Sequence, residues 1–532
     1  MKKLYYNANV YTTEGFSTSF IVEDNIFTKV GNDELLNEEV DEKIDLKGKF
    51  VCPSFNDSHM HLLNYGQSLI NAKLNEHTSS LKEMLNYLKD FISSSNIKEG
   101  QWIRGRGWNQ DYFTDVDRMP SKKDLDEINN DIPIVLYRAC GHCCAVNSRM
   151  LETVGITPDT VSPDGGAIDY ENGLLFDNAI DFLDPYVPIP DKQRIKEMIK
   201  ASCAALNSFG ITSSQTDDYG VFRQLPFEVI NEAYKELEES GELTVRVYEQ
   251  SNFTDLNEFK RFVESGNTTG AGTDMFKIGP LKLLGDGSLG GRTAHLSIPY
   301  NDDPSTYGFS LFSDQQFKDM ITYANDHDMQ VAVHAIGDRC LDKVLDAYEY
   351  ALNKKPREDH RHGIVHCQIS RKDQLDRMIR LKMHIYAQSI FLDYDNHIVE
   401  DRVGKDLAST SYNWKTLMDN GLSVSNGSDA PVEIPDVLKG IQCAVTRTSI
   451  DGTGPYLIDQ AFSVKEAIDS FTINSAEASF EEKYKGRIKE GYLADFVVLD
   501  EDPFKTTETE IYKIKVLKTY LNGTCVYNGS SD

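Results

Sequence analysis

The sequence predicts an α/β protein built on a parallel sheet or barrel, with one small β-sandwich assembled from both ends of the chain. Three observations carry this. Apolar strand-like runs alternate with helical patterns through the middle of the chain. Both ends read as short strands and turns, with no helices to cover a parallel sheet. Several polar residues stand at the ends of the middle runs, where parallel β/α sheets carry their sites.

The N-terminal strands are KLYYNANVYT, STSFIVED, FTKVG and KIDLKGKFVCP; the C-terminal ones are ADFVVLD, KIKVLKTYLN and TCVYNG. Each set is too small to stand alone, so residues 1–54 and 485–532 are expected to share one sandwich. Between them GPLKLLGDG precedes the helix-like SDQQFKDMITYANDHD, and MQVAVHA precedes RCLDKVLDAYEYALNK. GIVHCQI, RKDQLDRMIRLK, HIYAQS and LSVSNGSDA continue the alternation through the 55–484 region. Residues from about 65 to 200 interrupt it with helices and turn-rich pieces such as SPDGGAIDYENG, which reads as an α+β insertion after the first strand of the series.

A chain of 532 residues, 40% hydrophobic and 10% aromatic, can bury large cores. A net charge of -29 repels nucleic acid and anionic membranes, so neither is an expected partner. It says little about the substrate, which is expected to be a small molecule on the resemblance given below. Nine scattered cysteines without paired C-x-x-C spacing exclude a disulfide framework or a structural zinc knuckle. MKKLYYNANVYTTEG has no apolar run after its lysines, and no stretch has the length and apolarity of a membrane span, so a cytoplasmic protein is expected.

FNDSHMHLL, residues 55–63, sets His59 and His61 on one face of an extended segment, where they could grip one ion. They could equally be polar residues at a strand end. His334 ends MQVAVHA, His366 ends GIVH, Asp429 follows LSVSNGS, and Lys282 lies among apolar residues in GPLKLLGDG. Each alone has a structural reading: a hydrogen-bonded histidine, a snorkelling lysine, a turn aspartate. Their succession along the strand ends is what favours a shared centre. Imidazole and carboxylate ligands suit zinc or a similar divalent ion.

PSFNDSHMHL, YRACGHCCAVNS, GPLKLLGDGSLGGRTAHLSIPY, VAVHAIGD, RHGIVHCQ, NGSDAPV and GRIKEGYLADFVVLD together resemble the amidohydrolase superfamily of metal-dependent hydrolases. The nearest branch is the YtcJ-like one, related to N-substituted formamide deformylase. The resemblance implies a distorted (β/α)8 TIM barrel with the composite sandwich and the insertion. It implies metal ligands at His59, His61, Lys282, His334, His366 and Asp429, with one or two ions and a carboxylated Lys282 as a bridge. Asp429 would act as general base and then acid towards a metal-activated water, cleaving a C–N bond other than a peptide bond.

Asp57 and His362 are expected to orient ligands from behind. His142, Asn147, Trp108 and Arg292 are expected to line the substrate pocket, and the protein is expected to be a homodimer. Pro53-Ser54 replaces the usual Pro-Gly before the first strand end. Two other readings stay open: a mononuclear deaminase of amino-heterocycles, which HAIGD disfavours by supplying Asp338 where a glutamate motif is usual, and a non-catalytic binding or regulatory relative.

Overall fold

The computed structural model describes residues 1–529 except 96, 98, 99, 140–142, 164, 165 and 223. These divide into two compact units, Met1–Tyr65 with Ile199–Asp532, and Gly66–Met198.

The first unit is organised around eight parallel strands: β1 (Phe55–Met60), β2 (Ile211–Thr216), β3 (Arg246–Asn252), β4 (Phe276–Leu284), β5 (Val331–Ala335), β6 (Gly363–His366), β7 (His384–Ala387) and β8 (Val424–Asn426). Each pairs with the next in chain order. Between β8 and β1 the ladder is replaced by two bonds just beyond the strands. Asp429 N donates to the His59 carbonyl and His61 N to the Ala430 carbonyl, each at 2.8 Å. The sheet is thus a nearly closed barrel whose seam lies beside three candidate ligands, His59, His61 and Asp429. Strands such as VAVHA and GIVH are buried along their whole length, as expected for a parallel sheet covered on both faces. Their polar residues are therefore the exceptions that need a reason.

The covering helices start where the sequence can cap them. Asp314–Asp326 begins with a capping box between Ser313 and Gln316. At the far end of β4, Lys277 pairs with buried Glu481 at 3.0 Å, and Lys485 pairs with the same carboxylate. Burial works to raise the Glu481 pKa, but the two lysines outweigh it and hold the group at about 2. A depressed carboxylate pKa stabilises the fold above its unfolded value near 4.5, and that stability is lost as the pH falls towards 2. Glu481→Gln is therefore expected to lower the unfolding temperature at pH 7, with the gap to the parent narrowing below pH 4.5 in a calorimetric pH series.

The chain ends form two further sheets in this unit. One contains Lys3–Tyr6, Ser19–Glu23, Ile26–Gly31 and Glu42–Asp45; in the other, the C-terminal strands Phe496–Leu499, Val516–Leu521 and Thr524–Asn528 continue into Phe50–Pro53, Asn9–Tyr11 and Phe16–Ser17. Tyr5, Phe20, Phe27, Val51, Phe496 and Tyr520 share one core, with Phe496 stacked on Tyr520 at 4.3 Å. Residues from both termini are needed to fill it.

The second unit, Gly66–Met198, has its own six-stranded sheet. Two residues expected to line a substrate pocket are instead committed to its interior. The Trp108 indole is fully buried and donates to the Leu136 carbonyl at 2.7 Å. The Asn147 amide accepts from Ile134 N and Met150 N and donates to the Asn129 and Ile132 carbonyls, all at 2.9 Å. An asparagine amide has two acceptor and two donor positions, so none is left for a ligand. Asn147 caps the helix Ser148–Val154. His142 lies outside the described residues. Among those described, no helix is long and apolar enough to cross a membrane.

Candidate metal centre

The barrel brings His59, His61, Lys282, His334, His366 and Asp429 to the C-terminal ends of β1, β4, β5, β6 and β8. Asp429 Oδ1 lies 3.3 Å from His59 Nε2 and 3.0 Å from His61 Nε2. One ligand atom each from His59, His366 and Asp429 lie within 4.8 Å of one another. Lys282 Nζ stands 3.4 Å from His59 Nε2, and the rings of His334 and His366 are 4.4 Å apart.

The ring nitrogens facing away from this cluster decide what faces into it. Gln250 Nε2 donates to the Ser58 carbonyl at 3.0 Å, which turns its Oε1 towards His59 Nδ1 at 2.8 Å. Gln388 Nε2 likewise donates to the Tyr386 carbonyl at 3.0 Å and presents Oε1 to His366 Nδ1 at 2.7 Å. His61 Nδ1 faces the Asp217 carbonyl at 3.2 Å. In the neutral ring each acceptor places the proton on Nδ1 and leaves a lone pair on Nε2. In His334 the relation is reversed. Its Nε2 faces the Gly287 carbonyl at 3.1 Å and Asp286 at 3.3 Å, so its free lone pair is on Nδ1.

Electrostatics agree for His59 and His366, whereas at His61 burial is outweighed by hydrogen bonding to Asp429, which raises the ring to about 9. Burial, reinforced by the Lys282 charge, pushes His59 down to about 4. Burial and His334 hold His366 well below its ordinary value. Burial works to raise Asp429, but hydrogen bonding to His59 and His61 outweighs it and keeps the carboxyl far below the usual range. A cation requires neutral imidazoles and an ionised carboxylate, so binding one would displace the proton that His61 holds against Asp429. Asp429 Oδ1 is buried, and no described residue other than the His59 and His61 rings stands ready to donate to it. Two ring nitrogens held 3.0–3.3 Å from one buried carboxylate oxygen form a donor set that fits a divalent cation once the His61 proton leaves.

The backbone is bent to achieve this. His366, Cys367 and Asp429 all have positive φ, at 73°, 48° and 58°. Such conformations cost about 1–3 kcal/mol each and gather at functional sites. The Trp414 indole N–H bridges the His366 and Cys367 carbonyls, 3.1 Å from each, and pins the turn. Asp57 accepts from His59 N at 3.2 Å and from Ser428 N and Oγ, tying the two sides of the barrel seam together.

His362 requires a correction. It sits at the opposite end of β6, where Nδ1 accepts from Val331 N and Nε2 meets Asn325 Oδ1, both at 3.1 Å, while the ring stacks on Tyr348. Four residues of extended chain span about 13 Å, too far for it to orient the ligands. Arg292 forms a bidentate ion pair with Asp302 within the loop that follows β4. Sequence reasoning missed Gln250, Gln388 and Asp217. Asp217 Oδ2 lies 3.3 Å from Lys282 Nζ, and Asn252 Nδ2 donates to both its oxygens.

A model of the amidohydrolase family matches residues 42–527. The chain belongs to the amidohydrolase family. This amidohydrolase is 34% identical to YtcJ of Bacillus subtilis, which is named as an amidohydrolase, over the whole of both chains. It is 25% identical to the N-substituted formamide deformylase of Arthrobacter pascens, over 91% of this chain and 90% of that one. The crystal structure of an uncharacterized metal-dependent hydrolase from Pyrococcus horikoshii superposes with a TM-score of 0.78 at 28% identity, covering 96% of this chain and 99% of the other.

Because Gln250 and Gln388 set the tautomers, Gln250→Leu and Gln388→Leu are each expected to weaken metal affinity about 10–100-fold, as measured by competition with a fluorescent chelator.

Proposed function

We propose that the protein is a metal-dependent hydrolase of a carbon–nitrogen bond other than a peptide bond, in an N-substituted amide, formamide, imide or carbamate-like group, with zinc as its metal. The observation that carries this reading is the convergence of His59 Nε2 and His61 Nε2 on the buried Asp429 Oδ1. The kinship with an N-substituted formamide deformylase supports the substrate class.

His59, His61, His366 and Asp429 would hold the ion, with His334 offering Nδ1. When bound, the ion polarises the scissile carbonyl and lowers the pKa of a water. Asp429 takes the proton of that water and returns it to the leaving nitrogen. Gln250 and Gln388 keep the imidazoles in the tautomers that bind. Lys282 is placed to supply two oxygens for a second ion once carboxylated; 13C NMR of protein equilibrated with labelled bicarbonate tests this by a carbamate signal. The deaminase alternative has less support. Asp338 is buried and committed to Ser297 N, at 2.9 Å, and to Arg371, at 2.6 Å.

The test is turnover of N-substituted formamides, acetamides, cyclic imides, carbamates and amino-heterocycles by zinc-loaded protein. Amine release from an amide, abolished by chelation and restored by zinc, is expected. Ammonia release from a heterocycle with no amide hydrolysis would contradict the proposal.

A further inference from the structure

The chain at the end of β2 grips β1 on both sides of His61. Asp217 N donates to the Met60 carbonyl at 3.1 Å, Leu62 N to Thr216 Oγ1 at 2.7 Å, and Leu63 N to Asp218 Oδ1 at 2.9 Å. Thr216 Oγ1 in turn donates to Asp218 Oδ1 at 2.8 Å, which joins the two side chains into one clamp. The peptide between Asp217 and Asp218 lies in the middle of it. Its carbonyl faces His61 Nδ1 at 3.2 Å, and its N–H donates to Glu249 Oε1, on β3, at 3.0 Å.

Glu249 is fully buried, and while Oε1 takes this N–H, Oε2 has no hydrogen-bond partner. An acid buried with one oxygen unsatisfied is costly, so its presence calls for a role. Burial, with Asp218 beside it, holds the carboxyl well above the ordinary carboxylate range, so it accepts as a neutral acid. A planar trans peptide points its N–H and its carbonyl in opposite directions, and fixing one end fixes the other. An acceptor on the N–H also polarises the carbonyl and strengthens the bond that the carbonyl accepts. Glu249 thereby aims the Asp217 carbonyl at His61 Nδ1, and the ring then holds Nε2 at 3.0 Å from Asp429 Oδ1.

We infer that Glu249 is a positioning residue of the candidate centre, acting on His61 through the peptide between Asp217 and Asp218. This rests on the reading of His61 as a metal ligand and is independent of which bond is cleaved.

The experiment compares the parent with Glu249→Gln, Glu249→Leu and Tyr234→Phe, each carrying 15N-labelled histidine. The readouts are the His61 Nδ1–H resonance of the metal-free protein, assigned by its absence in His61→Asn, and zinc affinity in competition with a fluorescent chelator. Glutamine keeps a carbonyl oxygen for Asp218 N, so Glu249→Gln is expected to retain the resonance and the affinity of the parent. Leucine removes the acceptor, so Glu249→Leu is expected to shift the resonance and to weaken zinc binding about tenfold. Tyr234→Phe removes a hydrogen bond to Asp218 Oδ2 from the same buried cluster without touching the peptide. It is expected to lower the unfolding temperature and to leave both readouts unchanged. An unmoved resonance in Glu249→Leu, a lost one in Glu249→Gln, or an equal change in Tyr234→Phe would overturn the inference. If Glu249→Leu does not fold, Glu249→Asp, whose carboxyl ends one methylene short of Asp218 N, decides in its place. If the parent itself binds no zinc, the ligand reading fails, while the resonance still judges the positioning by the same outcomes.

Discussion

Asp429→Asn lowers kcat/KM for any accepted amide by about a thousandfold or more, corresponding to the several kcal/mol that a metal-bound site supplies. The substitution keeps the volume of the side chain. Asparagine also tolerates the positive φ of 58° at this position, so the fold is expected to survive with an unchanged circular dichroism spectrum. What changes is chemical. The anionic Oδ1 that faces His59 Nε2 and His61 Nε2 becomes a neutral amide atom, and the group that would carry a proton between water and leaving nitrogen is lost. Metal analysis of the variant is expected to show weakened retention after dialysis. Activity within tenfold of the parent would remove Asp429 from the reaction.

Gly427→Ala is expected to be nearly as damaging, although residue 427 touches no ion. A Cβ at this position would sit 2.6 Å from His59 N, 2.7 Å from the His59 carbonyl and 2.7 Å from Asp57 Oδ1. All three lie at the seam where β8 meets β1, and two belong to backbone that cannot swing aside. Relief requires the strand ends to part, at a cost of about 1–3 kcal/mol for an overpacked methyl. It also moves His59 and Asp429 relative to each other, and a misplacement of about 1 Å at a reacting centre can cost a hundredfold in rate. The expected result is about a hundredfold loss of kcat with weaker metal retention and a folded protein. Gly15→Ala, where a Cβ meets nothing within 4 Å, is the control and is expected to change neither.

Much of this was legible from the chain alone, for physical reasons. Parallel strands buried on both faces read as apolar runs, so His334, His366 and Lys282 stood out as polar interruptions at their ends. The alternation of side chains in an extended segment put His59 and His61 on one face before any partner was known. The same argument carried a signal that went unused, since RVYEQSN and HIYAQS also carry a buried polar residue close to their ends, Gln250 and Gln388. A glutamine at a strand end has no ligating chemistry of its own, and its purpose appears only when its amide is seen between a carbonyl and a ring nitrogen.

His362 was misread because it shares a motif with His366, whereas strand geometry separates the two ends of RHGIVH. Asn147 was expected at the substrate pocket on the resemblance of its motif, and Trp108 as a side chain able to close over a ligand. Their N–H and amide groups are instead consumed by carbonyls and amides inside the insertion. The pairing of Asp217 with Lys282 joins β2 to β4 across more than sixty positions, and no local pattern announces it.

The most direct measurement is an anomalous difference map, collected at the absorption edge of the metal found in the purified protein, from its crystals. A peak bonded to His59 Nε2, His61 Nε2 and Asp429 is the predicted result. A protein that hydrolyses amides with no anomalous peak at these atoms, or with its metal bound elsewhere, would contradict the account.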